Sequence, residues 1–359
     1  MSVHTIAAAE ALKRLPEFSA VIDARSESEF ALDRLPGALN WPSLHDAERV
    51  RVGTMYKQVN PFEARKLGAA LVARNIAAHI ERECMDKPKS WQPLLYCWRG
   101  GQRSGALALV LGQIGFRATL IDGGYKAFRN ALRADLPAQA ARLHYRVVCG
   151  PTGSGKTRLL HALAAAGAQV LDLEALASHR ASVLGVIPGQ PQPTQKHFEM
   201  RVWQALCAFD AARPVYVEAE SKKVGNLTLP DSLIDAMRAS ACLRVELSED
   251  ERVALLLEDY PFFVSDPAFF CQRLDTLVAL RGHAVVEGWK ALVAAGQLDA
   301  VVRELLAQHY DPGYASSTRR NFAQFGRALP VPLADRSAAS LAQAASAILQ
   351  SEPQSAPVS

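Results

Sequence analysis

The chain has 359 residues, enough for two domains that each bury a hydrophobic core. Hydrophobic residues make up 49% and charged residues 21%, which indicates a globular protein and argues against a disordered one. No apolar run reaches the roughly 18 to 20 residues needed to cross a bilayer, and the N-terminal segment lacks the pattern of a secretory signal. The net charge of +4 is compatible with an anionic partner such as RNA but too small to establish one. The composition therefore predicts a soluble protein in the cytoplasm.

The first part of the chain, residues 1–135, is predicted to alternate strands and helices. In chain order, the predicted elements are a strand at 20–23, a helix that begins at a capping box of Ser26 and Glu29, a strand at 94–96, an apolar helix at 104–115 and a strand at 118–121. Strands separated by helices are typical of a parallel α/β sheet.

A polar, helix-favouring segment at 131–142 is the predicted connector to a second domain, residues 136–350. The predicted elements there are a strand at 146–149, a helix at 156–166 that ends at Gly167, strands at 169–173, 215–217 and 242–247, and a helical region from a second capping box of Ser248 and Glu251 to about residue 308. The polar segment 351–359 is predicted to be a disordered tail.

Six cysteines are scattered along the chain, and no two form a Cys-x-x-Cys pair. We therefore expect no structural metal site, because structural zinc sites usually use closely spaced ligands. Most isolated cysteines in a reducing compartment are small core residues. A cysteine with a chemical role needs a local reason for its reactivity.

Cys97 has such a reason, because it lies between a predicted strand and a predicted helix in the segment YCWRGGQRS. The helix N-terminus and two nearby arginines, Arg99 and Arg103, favour the thiolate over the thiol. Gly100 and Gly101 allow successive backbone N–H groups to form an anion-binding nest. The loop from Cys97 to Arg103 is long enough for a tetrahedral oxyanion such as phosphate. We predict that Cys97, Arg99 and Arg103 are catalytic residues.

A phosphate-binding loop begins at Gly150, where the pattern G-x-x-x-x-G-K-[ST] is matched at every fixed position between a predicted strand and a predicted helix. Glycines allow the loop to turn its N–H groups inward, and the helix N-terminus and Lys156 add positive charge. Thr157 would hold Mg²⁺ if the ligand is a nucleotide or a diphosphate. The predicted phosphate-binding residues are Gly150, Gly153, Ser154, Gly155, Lys156 and Thr157. The motif predicts a bound phosphate, not ATP hydrolysis.

A metal beside this loop needs an acidic ligand at the end of a nearby strand. Glu218 follows the predicted strand at 215–217 and is the first candidate, with Glu220 and Asp172 behind it. Each of them could equally be an ordinary carboxylate at a strand end, so the sequence leaves the metal ligands open. We predict no tightly bound cofactor, and expect Mg²⁺ to accompany a diphosphate ligand.

Several further segments resemble known families. Residues 23–26, 35–42 and 123–126, together with the cysteine loop, resemble a rhodanese domain. The fusion of such a domain to a P-loop domain, in this order, resembles the tRNA 2-selenouridine synthases. The other matching segments are 29–30, 48–49, 52–58, 172–174, 179–182, 192–195, 198–199, 217–221, 224–225 and 309–312. The resemblance implies a rhodanese-like parallel-sheet domain followed by a P-loop NTPase-like α/β domain with a helical C-terminal part.

The resemblance also implies a tRNA-modifying selenotransferase in which Cys97 corresponds to the active cysteine. Its substrates would be selenophosphate, geranyl diphosphate and tRNA with 2-thiouridine at the wobble position. Sulfur would be replaced by selenium through an S-geranyl-2-thiouridine intermediate. The chain departs from the expected pattern at Ala219, where an acidic residue is expected, and at Ala181, where glycine is expected.

Three other functions remain open at this point. They are a rhodanese-like phosphatase fused to a nucleotide-binding domain, a persulfide sulfurtransferase that thiolates tRNA with ATP, and a tRNA-binding scaffold without enzymatic activity. We expect RNA and small-molecule donors as partners, and no membrane. Basic pairs that could contact RNA phosphates are Lys222 with Lys223, Arg319 with Arg320, and Arg129 with Arg133.

Overall fold

The structure, a computed structural model, describes residues 3–99, 101–180, 182 and 184–352. It divides into two compact units, Met1–Leu136 and Pro137–Ser359. Three parts of the sequence-based predictions lie outside the described residues: Gly100 in the cysteine loop, Ala181, and residues 353–359 of the predicted tail. In the described part of the chain, no helix combines the length and the hydrophobicity needed to span a membrane.

The first unit contains a parallel sheet of five strands flanked by helices. In chain order, its elements are β1 (His4–Ile6), α1 (Ala8–Arg14), β2 (Ala20–Asp23), α2 (Glu27–Leu32), β3 (Ala38–Asn40), α3 (Asp46–Gln58), α4 (Pro61–Glu83), β4 (Pro93–Tyr96), α5 (Gln102–Ile114), β5 (Thr119–Ile121) and α6 (Gly124–Ala141). The strand order is β1-β5-β4-β2-β3. The predicted alternation of strands and helices is confirmed, and Ser26 and Glu29 form the predicted capping box at the start of α2. The predicted connector is the C-terminal part of α6.

β4 is the central strand of this sheet, and its four residues are all buried. A strand that is covered on both faces is expected to be apolar throughout, as β4 is. Cys97 follows β4 directly, so it lies at the carboxyl end of the sheet. In open α/β sheets, ligands bind at the carboxyl ends of the strands. The fold therefore places Cys97 where such sheets bind their ligands.

The second unit contains another parallel sheet of five strands and a small antiparallel hairpin. In chain order, its elements are β6 (Tyr145–Cys149), α7 (Lys156–Ala165), β7 (Gln169–Leu171), α8 (Leu173–Ala177), α9 (Gln195–Ala208), β8 (Val215–Glu218), β9 (Lys223–Val224), β10 (Leu227–Thr228), α10 (Asp231–Ala239), β11 (Ala241–Glu246), α11 (Glu249–Asp259), α12 (Pro261–Ser265), α13 (Pro267–Leu274), α14 (Val278–Arg281), α15 (His283–Ala294), α16 (Leu298–Leu305), α17 (Asp311–Asn321), β12 (Leu329–Pro332) and α18 (Ala338–Ser351). The sheet order is β12-β11-β6-β8-β7, with β9 and β10 forming the hairpin. The phosphate-binding loop follows β6, the central strand.

Helices α11 to α16 form the predicted helical region, and they pack around an apolar core of their own. The buried side chains of that core include those of Phe263, Phe270, Leu274, Leu277 and Trp289. A π-helical segment, Leu306–Tyr310, joins α16 to α17. Because π-helical turns are often found at functional sites, the residues of this segment are candidates for a functional site.

Two local predictions in this unit need correction. The strand predicted at 169–173 ends at Leu171, because the side chain of Asp172 accepts a hydrogen bond from the Ala175 N–H at 2.8 Å and starts α8. The second capping box is only half formed. Ser248 accepts from the Glu251 N–H, but the Glu251 carboxylate accepts from the guanidinium of Arg336 at 2.9 Å instead of returning to Ser248.

The start of the predicted tail is tied to the second unit. Ser351 is the last residue of α18, and the Glu352 carboxylate pairs with the guanidinium of Arg146 at 2.6 and 2.7 Å. The remaining residues of that segment are among those that the structure does not describe.

Candidate functional site

The loop between β6 and α7 has the backbone of a phosphate cradle. Gly153 and Gly155 have φ angles of 77° and 87°, in the left-handed region that favours glycine. A Cβ atom on Gly153 would lie 2.9 Å from the side chain of Leu256, so the loop could not keep this path with a larger residue. The Lys156 ammonium donates to the Gly150 carbonyl at 2.9 Å. The predicted residues therefore form one curled loop at the N-terminus of α7, where the helix dipole favours an anion.

Three glutamates lie beside this loop. The carboxylates of Glu174, Glu218 and Glu220 approach within 4.8 Å of one another, and the Thr157 hydroxyl donates to Glu174 at 3.4 Å. Oε1 of Glu218 is buried and has no hydrogen-bond partner in the described part of the chain. Burial, and then the charges of Glu218 and Glu174, raise the pKa of Glu220 well above its usual range. A divalent cation would relieve this crowding, so these side chains could hold Mg²⁺.

Asp172, an acid that we considered from the sequence, does not join this cluster. One of its oxygens caps α8, and the other lies 2.9 Å from Nε2 of His161. Glu174, two residues further on, supplies the third carboxylate, which the sequence analysis missed. The signal was present, because aspartate is a strongly preferred N-cap residue. Assigning Asp172 to the helix cap would have left Glu174 as the acid for the site.

Residues from the C-terminal helices also hold the cradle, and of these only Asp311 lies in a segment singled out from the sequence. The Gly150 N–H donates to the hydroxyl of Tyr314. The buried guanidinium of Arg252 donates to the Thr152 carbonyl at 2.8 and 2.9 Å, and it binds the Asp311 carboxylate at 2.6 and 3.0 Å. The path of the loop backbone is therefore fixed from α11 and α17.

These elements surround a cavity of about 480 Å³, which we call the cradle cavity. Its volume lies in the range of about 300 to 1,000 Å³ that is usual for small-molecule sites. Besides the loop and the three glutamates, its wall includes Arg180, Arg281 and His309. Nε of Arg281 donates to Nδ1 of His309 at 3.0 Å. Burial and the charge of Arg281 lower the pKa of His309, which favours the neutral ring. The cations suit a diphosphate ligand.

An apolar cavity of about 50 Å³ adjoins the cradle cavity. The wall residues common to both are Thr152, Ser182, Leu256, Tyr260 and Tyr310. The rest of the apolar wall consists of Leu184, Leu257, Phe263, Val264, Phe270, Leu298, Val302, Leu305 and Leu306. Because this volume is below the usual range for ligand sites, a ligand that enters it would also occupy part of the cradle cavity.

In the first unit, Cys97 is buried, and its surroundings lower the pKa of its thiol. Burial is the largest influence on the pKa of the Cys97 thiol and acts to raise it. Hydrogen bonds from the hydroxyl and the N–H of Ser104, the charge of Arg103 and the N–H of Arg99 outweigh burial, so the pKa lies below its ordinary value. Cys84, buried in the same unit, has a raised pKa because burial dominates there. Ser104, in the first turn of α5, is a site residue that the sequence analysis missed.

The glycine and tyrosine after β5 support the cysteine loop. The Tyr125 N–H donates to the Cys97 carbonyl at 2.8 Å, and its ring stacks on Trp98 with the centroids 5.4 Å apart. A Cβ atom on Gly124 would lie 2.4 Å from the Cys97 carbonyl oxygen, so this approach requires glycine. The segment 123–126, singled out above by resemblance alone, thus positions the loop.

The two arginines of the cysteine loop have different surroundings. Arg99 is exposed. The Arg103 guanidinium donates to the Glu29 carboxylate at 2.7 Å. Arg103 therefore stabilises the Cys97 thiolate by its charge while its position is set by Glu29.

The basic pairs considered for RNA contact differ in their exposure and in their salt bridges. Arg129 is 6% exposed and lies 3.8 Å from Asp33, which makes it an internal residue. Lys222 pairs with Asp231 at 2.7 Å. The remaining exposed members are Lys223, Arg133, Arg319 and Arg320.

We expect iodoacetamide to alkylate Cys97 with a pH midpoint below about 8.5, the ordinary value for a thiol. In Ser104→Ala, this midpoint should rise by about one pH unit, because a hydrogen bond to a charged group is lost. Mass-spectrometric mapping of the alkylated peptides over a pH series gives the midpoints. The protein unfolded in urea is the control, since Cys97 should return there to about 8.5. An equal midpoint in the folded and unfolded chains would contradict the prediction.

Each of the two units matches the model of a known protein family. The family model described as the tRNA 2-selenouridine synthase AAA domain matches residues 143–272, and the model of the rhodanese-like domain matches residues 7–131. The tRNA 2-selenouridine synthase of Aeromonas salmonicida is 31% identical to this chain, over 82% of the chain and 86% of its own length. The chain belongs to the tRNA 2-selenouridine synthase family. The predicted fold, a rhodanese-like domain followed by a P-loop-like α/β domain with a helical C-terminal part, is confirmed.

Two further members of the family are more similar to this chain in sequence than the Aeromonas salmonicida protein is, but the matches cover a smaller share of those relatives. The tRNA 2-selenouridine synthases of Nitrosomonas europaea and Alcanivorax borkumensis are 38% and 40% identical to this chain. The matches cover 71% and 67% of the chain and 66% of each relative. The chain thus spans slightly less than two thirds of the length of these relatives.

Proposed function

We propose that this protein replaces the sulfur of wobble 2-thiouridine in tRNA with selenium from selenophosphate, through an S-geranyl-2-thiouridine intermediate made from geranyl diphosphate. Membership of the family supports a reaction on tRNA, and hence a cytoplasmic location. The observation that carries the geranyl step is the contact between the cradle cavity and an apolar cavity. A diphosphate with a hydrocarbon tail needs these two environments side by side.

In the first step, the sulfur of 2-thiouridine attacks C1 of the geranyl group and forms a carbon–sulfur bond. The bond between C1 and the diphosphate oxygen breaks, diphosphate leaves with the electron pair, and the base loses its N3 proton to solvent. Lys156 and the N-terminus of α7 stabilise the charge that develops on the leaving oxygen. Arg180 and Arg281, in the wall of the same cavity, add further positive charge.

We propose that Mg²⁺ accompanies the diphosphate. Thr157 and the cluster of Glu174, Glu218 and Glu220 would hold it, because these are hard oxygen ligands and Oε1 of Glu218 has no other partner in the described residues. When bound, the ion neutralises charge on the diphosphate oxygens. Ala219 lacks the acidic side chain expected at that position, but Glu174 provides a third carboxylate for the metal.

Glu220→Gln is expected to raise the melting temperature of the metal-free protein by a few degrees, because one of three crowded carboxylates is removed. The same substitution should abolish the rise in melting temperature that MgCl₂ with diphosphate gives the wild type. Thermal unfolding with and without Mg²⁺ measures both effects.

Asp172→Asn is the matched control for Glu220→Gln, because Asp172 lies outside the cluster and caps α8. It should keep the shift caused by Mg²⁺. A full Mg²⁺ response in Glu220→Gln would show that the cluster is not the metal site.

In the second step, the selenium of selenophosphate adds to C2 of the S-geranylated base. The bond from C2 to sulfur breaks, and geranyl thiolate leaves with the electron pair, a better leaving group than the original thiocarbonyl sulfur. Water then attacks phosphorus, and the phosphorus–selenium bond breaks to release phosphate. We propose that the loop from Cys97 to Arg103 binds the phosphate group of the donor and assists this hydrolysis. Thiolate attack on selenium is not part of the scheme, because it would expel phosphorus in a reduced form.

The proposal is tested with purified protein and tRNA that contains 2-thiouridine. Geranyl diphosphate alone should yield S-geranyl-2-thiouridine, and both donors together should yield 2-selenouridine, measured by liquid chromatography with mass detection. If 2-selenouridine forms without geranyl diphosphate, the intermediate is wrong. Hydrolysis of a simple phosphomonoester, or strong thiosulfate:cyanide activity, without a selenium product would favour the phosphatase or the persulfide sulfurtransferase instead.

A further inference from the structure

A second polar cavity, of about 710 Å³, lies beside the β9–β10 hairpin, and the chemistry proposed above does not use it. We call it the hairpin cavity. Its described wall contains the cations Lys223 and Arg273 and no carboxylate. The other polar wall residues are Ser178, His179, Ser182, Gln190, Gln192 and Asn226. Two cations in a wall without carboxylates favour an anionic ligand.

The wall of the hairpin cavity is held in place by Gln192. Its amide nitrogen donates to the carbonyls of Ala177 at 3.2 Å and Val224 at 3.0 Å, and its amide oxygen accepts from the Asn226 N–H at 2.8 Å. A Cβ atom on Gly225, where φ is 59°, would lie 2.4 Å from that oxygen. The hairpin tip is therefore clamped to the segment before α9, so a ligand would meet a cavity that is already formed.

His179 gives the same cavity an unused polar group. The residue is 5% exposed, and its Nδ1 has no hydrogen-bond partner in the described residues. A buried ring nitrogen without a partner loses its hydrogen bonds to water and gains none in return. The preceding residue, Ser178, has a φ of 50° because it is the C-cap of α8, a position where the left-handed conformation is common. The unpaired ring nitrogen of His179 is unfavourable for the fold alone and is understandable beside a ligand.

We propose that the hairpin cavity binds one unstacked nucleotide of the RNA substrate, an inference that rests on the RNA-modifying function proposed above. Lys223 and Arg273 suit a phosphate, and the amides of Gln190 and Asn226 offer donors and acceptors for the edge of a base. Ser182 lies in the walls of both the hairpin cavity and the cradle cavity. Enzymes that modify a base commonly take it out of the stack into a pocket. A nucleotide in the hairpin cavity therefore lies next to the site of the geranyl donor.

Adjacent lysines give a matched test of this assignment. Lys223 is exposed, lines the cavity and forms no salt bridge with a described residue, whereas Lys222 is exposed, pairs with Asp231 and does not line the cavity. The affinity of the full chain for an anticodon stem-loop RNA containing 2-thiouridine is measured by fluorescence anisotropy over a salt series. Lys223→Ala should weaken binding about 3- to 10-fold and lower the salt slope by about one, because one phosphate contact is lost. Lys222→Ala should change the affinity less than about twofold.

Binding of geranyl diphosphate serves as the folding control, and both variants should retain it. Equal effects of the two substitutions on RNA binding would overturn the inference but leave the proposed function intact. A loss of uridine monophosphate binding in Lys223→Ala with unchanged RNA binding would assign the cavity to a free nucleotide and also overturn it. If the wild type does not bind the RNA at all, the proposed function fails together with the inference.

Discussion

Lys156→Ala is expected to weaken the binding of geranyl diphosphate about 10- to 100-fold and to reduce the formation of S-geranyl-2-thiouridine at least as much. The Lys156 ammonium lies within the cradle, 2.9 Å from the Gly150 carbonyl. A hydrogen bond from a charged group contributes about 1.5 to 3 kcal/mol, and each 1.4 kcal/mol corresponds to about a factor of ten in affinity. Calorimetric titrations of geranyl diphosphate and of ATP show which of the two ligands the loop serves.

Lys66→Ala is the matched control for Lys156→Ala. Lys66 is exposed in the first unit and pairs with Glu63 at 2.7 Å, an interaction whose loss costs at most about 1 kcal/mol of stability. It should leave both titrations unchanged. If Lys156→Ala binds geranyl diphosphate and ATP as tightly as the wild type does, the assignment of the cradle to either ligand is rejected.

Cys97→Ser is expected to lower the yield of 2-selenouridine at least about 100-fold while S-geranyl-2-thiouridine still accumulates. The loop lowers the pKa of the Cys97 thiol and so favours a thiolate. Serine at position 97 keeps a hydroxyl but provides no such anion at neutral pH. Reactions with both donors, analysed by liquid chromatography with mass detection, report the two products together. The pattern should be the reverse of that for Lys156→Ala, in which geranylation itself declines.

Cys84→Ala provides the control for loss of a thiol in the same unit. Cys84 packs in the apolar core, and burial raises its pKa, so its removal should affect stability and not the product ratio. If Cys97→Ser also abolishes geranylation, while it still folds and binds RNA, the two steps depend on one site. The division of the chemistry between the two units would then be wrong.

The position and backbone of both loops, after β4 and after β6, could be predicted from the sequence, because the geometry of each loop depends on neighbouring residues. The glycines and the lysine of the loop after β6 occupy fixed positions within eight consecutive residues, and a strand and a helix flank them. Cys97 was found in the same way, from a strand end, nearby arginines and a following helix. Alternating strands and helices likewise predicted two parallel sheets, because a right-handed crossover leaves few other arrangements. In each case, the signal and the structure that it specifies lie close together in the chain.

The surroundings of these loops were decided by tertiary structure alone. Arg252 and Tyr314 contact the phosphate-binding loop from about 100 and 160 residues away. Glu174 replaced Asp172 in the acidic cluster because a helix cap competed for the aspartate. The apolar cavity is built from several C-terminal helices, whose leucines and phenylalanines are indistinguishable in sequence from ordinary core residues. Local sequence patterns specify the glycine-rich loop. The charged and apolar side chains around it come from residues that only tertiary packing brings together.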